Sequence, residues 1–181
     1  LLIISNMYPS QSQPSYGSFI KNIKRGLIEN GVTVDVIAIR GRSGNPISKL
    51  ADYLNLFWKV LGKSMRGYDW IQVSYPSHTF FPLLLRPGLW RKTLCRLHGS
   101  DLPPADSIGL ANRIVRWMSI NACMRSAAVV VPSNAFLDRF RSELRNQGYM
   151  KDPQTYVYPS GGVNLDLFKV SSISSLPEKI E

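Results

Sequence analysis

Short apolar runs alternate with longer amphipathic stretches along the chain, and glycine or proline marks most of the changes. Leu1 to Ile4 is an apolar run suited to a strand buried on both faces. A polar, proline-bearing loop follows to Tyr16-Gly17. Phe19, Ile23 and Leu27 then recur at spacings of four, which predicts a helix that stops at Gly31. Val32 to Ile39 reads as a second strand, and Arg40 to Pro46 as a loop. Ile47 to Arg66 reads as a helix whose apolar positions cover most of its circumference, with Lys59, Lys63 and Arg66 aligned along it and Gly67 ending it. Asp69 to Tyr75 predicts a third strand and Lys92 to Leu97 a fourth. Between them a short helix within Pro76 to Arg86 is broken by Arg86-Pro87-Gly88.

The same alternation continues to the C-terminal end. Leu110 to Ser126 is a helix with Leu110, Ile114, Met118 and Ala122 on one face. Ala127 to Val131 is a fifth strand closed by Pro132. Ser133 is placed to cap a helix that runs to Gln147 with Phe136, Leu137, Phe140 and Leu144 inward, and Gly148 stops it. Thr155 to Tyr158 is a last strand before the Pro159-Ser160-Gly161-Gly162 turn. Strands and helices of ten residues or more thus alternate at least five times. That pattern predicts an α/β fold, a three-layer Rossmann-like parallel sheet with helices on both faces. Residues 1–168 are expected to form this domain, and the serine-rich stretch 169–181 to open a linker.

Composition narrows the class. The 181 residues suffice for one large domain with a substantial core, and 44% of them are hydrophobic. No run of about 18 apolar residues suggests a membrane span. Cys95 and Cys123 have no metal-ligand spacing and are expected as buried free thiols of a cytoplasmic protein. The net charge of +10 favours an anionic partner. The basic residues are dispersed, without a block of five, so nucleic acid is not indicated. Phe57 and Trp58 beside Lys59, Lys63 and Arg66, and Arg86 to Lys92, mix cations with aromatics. Core aromatics under a solvated lysine stripe are the favoured reading, and peripheral docking on an anionic membrane is the alternative.

Ligands of a doubly wound sheet sit at the carboxyl ends of its strands. The features that fall there are the loop ending at Tyr16-Gly17, Tyr75 to His78, His98 to Asp101, Ser133, and Ser160 to Asn164. Gly17 lets backbone approach a phosphate at a helix N-terminus, although no G-x-G-x-x-G or P-loop is present. A histidine such as His98 can exchange hydrogen bonds with a substrate hydroxyl or phosphate, while Asp101 either orients it or binds a hydroxyl. The alternative is that Asp101 caps the turn and His98 packs locally. His78 is a weaker candidate of the same kind, since Pro76-Ser77-His78 also suits a helix start. No nucleophile elbow exists, so a hydrolase triad is unsupported.

Four stretches in register carry a resemblance. They are Tyr8-Pro9 through Tyr16-Gly17-Ser18-Phe19-Ile20-Lys21, Arg96-Leu97-His98-Gly99-Ser100-Asp101, Ala127 to Phe136, and Tyr158 to Phe168. Over nearly its whole length the chain resembles the N-terminal domain of family 4 glycosyltransferases, whose GT-B architecture pairs two Rossmann-like domains. The resemblance implies transfer, with retention, of a sugar from a nucleotide-sugar donor to a glycan or lipid-linked acceptor held mainly by this domain, as in polysaccharide biosynthesis. It implies His98 and Asp101 near the transferred sugar, and Gly17, Tyr16, Ser160 and Gly161 on the donor side. It implies no cofactor, and no metal is expected because no D-x-D pair is present. The family's Asn-Gly-Val-Asp turn reads Ser160-Gly161-Gly162-Val163-Asn164 here. The second domain, with its E-x7-E carboxylates and most nucleotide contacts, is expected downstream, and the 181 residues alone should not turn over. A non-catalytic Rossmann-like module that binds a phosphorylated ligand is the alternative.

Overall fold

A computed structural model describes residues 1–104 and 109–159. Six strands form one all-parallel sheet: β1 (Leu2–Tyr8), β2 (Asp35–Arg40), β3 (Ile71–Ser74), β4 (Thr93–Arg96), β5 (Ala128–Val131) and β6 (Thr155–Val157). Their spatial order is β2-β1-β3-β4-β5-β6. The helices are α1 (Ser18–Glu29), α2 (Pro46–Gly62), α3 (Phe80–Leu84), α4 (Leu110–Arg125) and α5 (Asn134–Asn146). The expected α/β fold, Rossmann-like with three layers, is therefore what the chain adopts.

The order of the strands decides which face each helix covers. The chain steps outward from β1 to β2, then crosses back over β1 to β3 and continues in that direction. Right-handed crossovers require the two directions to use opposite faces of the sheet. Accordingly Ile3 packs with Ile20 and Val34, flanked by Phe19, Ile23 and Leu27 of α1. The other face buries Leu2, Ile4, Ile71, Val73, Cys95, Val129 and Val131 beneath Leu56 and Val60 of α2, Phe80 of α3, Met118 of α4 and Phe140 of α5. Among the described residues one face carries a single helix and the other carries four. Cys95 and Cys123 are buried and unbonded.

Three boundaries differ from the sequence reading, each for a physical reason. β1 does not stop at Ile4: a bulge after Ser5 lets Tyr8 pair with Arg40, so the polar Asn6 and Met7 stay in the strand. α2 ends at Gly62 rather than Arg66, because Arg86 Nη1 donates to the carbonyls of Val60 (3.0 Å), Leu61 (3.3 Å) and Lys63 (2.7 Å). This guanidinium satisfies the carbonyls that a helix end leaves open. Lys63 and Arg66 therefore leave the helix and do not extend a stripe with Lys59. The third difference concerns Trp58, which is 66% exposed, with Phe57 half-buried against it edge-to-face at 5.6 Å. The inward side of α2 is taken by Leu56 and Val60, so the reading of both aromatics as core is corrected. The Ser133 cap forms as expected, its Oγ accepting from the Phe136 amide at 3.2 Å.

Candidate functional site

The loops after β1 and β3 leave the sheet toward opposite faces, and such a switch point opens a crevice at the carboxyl ends of the strands. Gly17 stands at its edge as the residue that starts α1. Its φ of 68° lies in the left-handed region, and a Cβ there would lie 2.8 Å from the Met7 carbonyl carbon and 2.9 Å from the Tyr8 nitrogen. Only glycine permits this seating of α1 on the end of β1. The helix starts with no side-chain cap and no acidic residue in its first turn, which leaves its N-terminus electropositive.

Tyr75 follows β3 and is the only non-glycine residue with positive φ, at 60°, among the described residues. Holding a large side chain in this conformation costs about 1 to 3 kcal/mol. It turns the phenol toward His98, where the rings stack with centroids 5.0 Å apart and planes 27° apart. Phe19 of α1 meets the same imidazole at 4.7 Å. Tyr75 also meets His78 edge-on at 6.1 Å, and His78 stacks on Tyr53 of α2 at 5.4 Å. A row of rings therefore runs from Phe19 through His98, Tyr75 and His78 to Tyr53.

His98 is held in a low-polarity setting. Burial first, and then the Arg96 charge, lower its pKa to about 4, so the ring is neutral near pH 7. Its Nε2 is buried without a partner. Asp101 is 1% exposed, and one of its carboxylate oxygens accepts from the His98 backbone N–H at 2.5 Å, not from the imidazole. Its carboxylate thus shapes the turn. Burial raises its pKa to about 7, opposed by the backbone N–H groups of His98 and Asp101.

Arg96, at the end of β4, was not singled out by sequence reasoning as a site residue. It is buried, donates to the Pro159 carbonyl at 3.1 Å, and lies over the Tyr158 ring at 5.3 Å. No carboxylate among the described residues pairs with it, and burial holds its pKa below the usual arginine value. A strand-end arginine beside an uncapped helix start was the signal available. Ser5, Ser74 and Arg96 are register partners across β1, β3 and β4, so they share one face of the sheet. Polar atoms without partners gather at these strand ends: Asn6 Oδ1, Ser74 Oγ, Arg96 Nε, His98 Nε2 and Asp101 Oδ1. Buried polar atoms are rarely left unpaired, so five at one edge mark a place for a ligand.

Next to this ledge lies a pocket of about 650 Å³ lined by Asn6, Tyr16, Arg42, Lys49, Asp52 and His78, among others. Gln13 fixes its rim by accepting from the Arg42 amide at 2.5 Å and donating to the Arg42 carbonyl at 3.3 Å. Asn45 caps α2 there, accepting from the Ser48 amide at 2.8 Å. Tyr16 is half-buried in the wall; burial and then Tyr53 raise its pKa, and Arg42 opposes them. His78 is open to solvent on one side, and desolvation of its packed side, followed by the Lys49 charge, lowers its pKa.

The predicted site residues thus divide. Gly17, His98 and Asp101 stand at the ledge, and Tyr16 lines the pocket beside it. Ser160 and Gly161 lie outside the described residues, as does the stretch 169–181. Ser133 caps α5 at the end of β5. Among the described residues no group of three His, Cys, Asp or Glu side chains could hold a metal ion, and no helix is long and apolar enough to cross a membrane.

The fold defines a Rossmann-like α/β protein with a polar, ligand-ready crevice at its switch point. No protein-family model matches the chain, and a search of curated proteins finds no match.

Proposed function

We propose that the chain is the acceptor-side half of a GT-B glycosyltransferase of family 4 type, which moves a sugar from a nucleotide-sugar donor to a glycan or lipid-linked acceptor with retention. The observation that carries this reading is the set of five unpartnered polar atoms at the ledge next to the pocket. A donor and an acceptor need adjoining sites of these two kinds. The N-terminus of α1 beside Gly17 receives the donor diphosphate, where helix N–H groups and Arg96 offset its charge. His98 is neutral and can exchange a hydrogen bond through Nε2 with a hydroxyl of the transferred sugar. Asp101 positions the His98 backbone. The pocket holds the acceptor, whose hydroxyl attacks the anomeric carbon as the bond to the diphosphate breaks. Its proton leaves with the departing phosphate oxygen. Orientation of two bound reactants and charge stabilisation supply the acceleration. A second domain that closes over the donor completes the site.

The unpaired Arg96 and open helix start also suit the second reading, a module that binds a phosphorylated ligand without chemistry. Full-length protein incubated with a panel of nucleotide sugars and an acceptor extract separates the two. Release of nucleoside diphosphate with a glycosylated product supports the transferase. Binding of nucleotide sugars without turnover supports the module.

A further inference from the structure

The outward side of the four-helix layer is apolar where solvent would ordinarily select polar residues. On α2, Ile47, Leu50, Leu54 and Trp58 are all exposed, Ile47 at 83%. At 100° per residue these positions fall within one narrow sector, opposite the inward Leu56 and Val60. α3 adds exposed Phe81 and Leu85, and α4 adds exposed Leu110, Ile114 and Trp117. α3 packs against both α2 and α4, and Phe80 meets Trp117 edge-on at 5.4 Å. The exposed residues therefore form one face spanning three helices. Scattered exposed apolar residues are ordinary, but a contiguous set with two tryptophans marks an interaction surface.

Charge selects the occupant. Across α2, α3 and α4 the one carboxylate is Asp52, which accepts from the Ser43 hydroxyl beside the pocket. Lys59 follows Trp58, and exposed Arg113 lies between Leu110 and Ile114. Exposed Arg66 and Arg91 lie just beyond the ends of α2 and α3. We infer that this face is a docking surface for an anionic lipid bilayer: the tryptophans and aliphatic side chains enter the headgroup boundary, and the surrounding cations meet lipid phosphates. A second copy of the chain fits poorly, because a two-fold contact would bring these same cations together. The face also reaches the pocket. Pro46 and Lys49 line the pocket, whereas Ile47 and Leu50 stand on the exposed side of the same turn of α2. An acceptor carried by a lipid would arrive at the pocket from this side. That corollary rests on the proposed transferase reading, whereas the docking itself does not.

Vesicle flotation of the purified chain tests the inference. Vesicles of equal parts phosphatidylcholine and phosphatidylglycerol should carry the chain upward, phosphatidylcholine alone should not, and added salt should release it. The double variant Leu54→Ser/Trp58→Ser should partition at least ~10-fold less, because it removes buried apolar area. Lys59→Glu and Arg113→Glu should each weaken binding about fivefold or more. All four positions are exposed, so circular dichroism should report unchanged folding. Lipids brominated in the acyl chains should quench the fluorescence of Trp58 and Trp117, and Trp58→Phe/Trp117→Phe should lose that quenching. Failure to float, flotation equal for the parent and Leu54→Ser/Trp58→Ser, or a concentration-dependent dimer in place of vesicle binding would overturn the assignment. Glycosyl transfer is not read in any of these measurements, so loss of the transferase reading would leave them unaffected.

Discussion

The His98 imidazole lies against the Tyr75 phenol, centroids 5.0 Å apart, and Tyr75 reaches it only from a left-handed backbone conformation. The residue after β3 is strained, and the strain places a ring on the residue after β4. Strain kept at a strand end beside unpartnered polar atoms is consistent with a site whose geometry is worth more than local relaxation.

The strain is measurable. Replacing Tyr75 by Asn or by Val removes the ring contact in both cases, but Asn tolerates the left-handed region and a β-branched Val does not. Tyr75→Val should therefore be less stable than Tyr75→Asn by about 1 kcal/mol or more. Urea unfolding of the two variants gives the difference directly. Equal midpoints and slopes would show that the backbone carries no such strain.

Gly17 allows a paired test. Gly31 also has positive φ, 79°, but a Cβ there would meet nothing within 4 Å. Gly31→Ala should cost only the conformational term, ~1 to 2 kcal/mol. Gly17→Ala carries that term and in addition pushes a methyl onto the backbone of Met7 and Tyr8. It should cost more than Gly31→Ala and disturb the start of α1. Chemical shifts of Ser18 to Ile20 should move in the Gly17 variant and stay in place in the Gly31 variant.

His98 offers the test of chemistry. In the full-length protein His98→Ala should lower turnover by ~100-fold or more while leaving the thermal midpoint within a few degrees, because a neutral donor or acceptor in a water-poor site contributes several kcal/mol to a transition state. The ring is half-buried and its Nε2 has no partner to lose, so folding depends on it weakly. Unchanged turnover would remove His98 from the role proposed.

The layer architecture was legible because it depends on periodicity. The buried strands are runs such as Ala127 to Val131, and the helices repeat apolar residues every three or four positions. The Ser133 cap and the glycine stops were legible for a similar local reason. What the sequence hid was set by partners distant along the chain. Arg86 ends α2 from more than 20 residues away, and the Tyr8–Arg40 pairing extends β1. Trp58 looked like core because its neighbours are apolar, yet Leu56 and Val60 alone face the sheet from that turn. At the site, the turn residues His98 and Asp101 stood out by position. The unpartnered Arg96 and the ring row through Tyr75 depend on register between strands, which no local pattern encodes.

His98 and Asp101 lastly make opposing contributions to stability with pH. The folded-state pKa of Asp101, about 7, exceeds its unfolded value near 3.8, so its stabilising contribution is fully present below pH 3.8 and is lost as pH rises toward 7. His98 titrates near 4 when folded and near 6.5 when unfolded, so its contribution is present above pH 6.5 and is lost as pH falls toward 4. His78 acts in the same direction as His98. Between pH 4 and 6.5 the carboxyl and imidazole terms have opposite slopes, each at most about 1.4 kcal/mol per pH unit. The parent chain should therefore show shallow pH dependence there. Asp101→Asn retains an oxygen to accept from the His98 N–H, and its stability should rise with pH across the window. His98→Gln should instead lose stability as pH rises. Urea midpoints at several pH values decide the matter, and parallel profiles for the two variants would show that these groups do not titrate as their surroundings require.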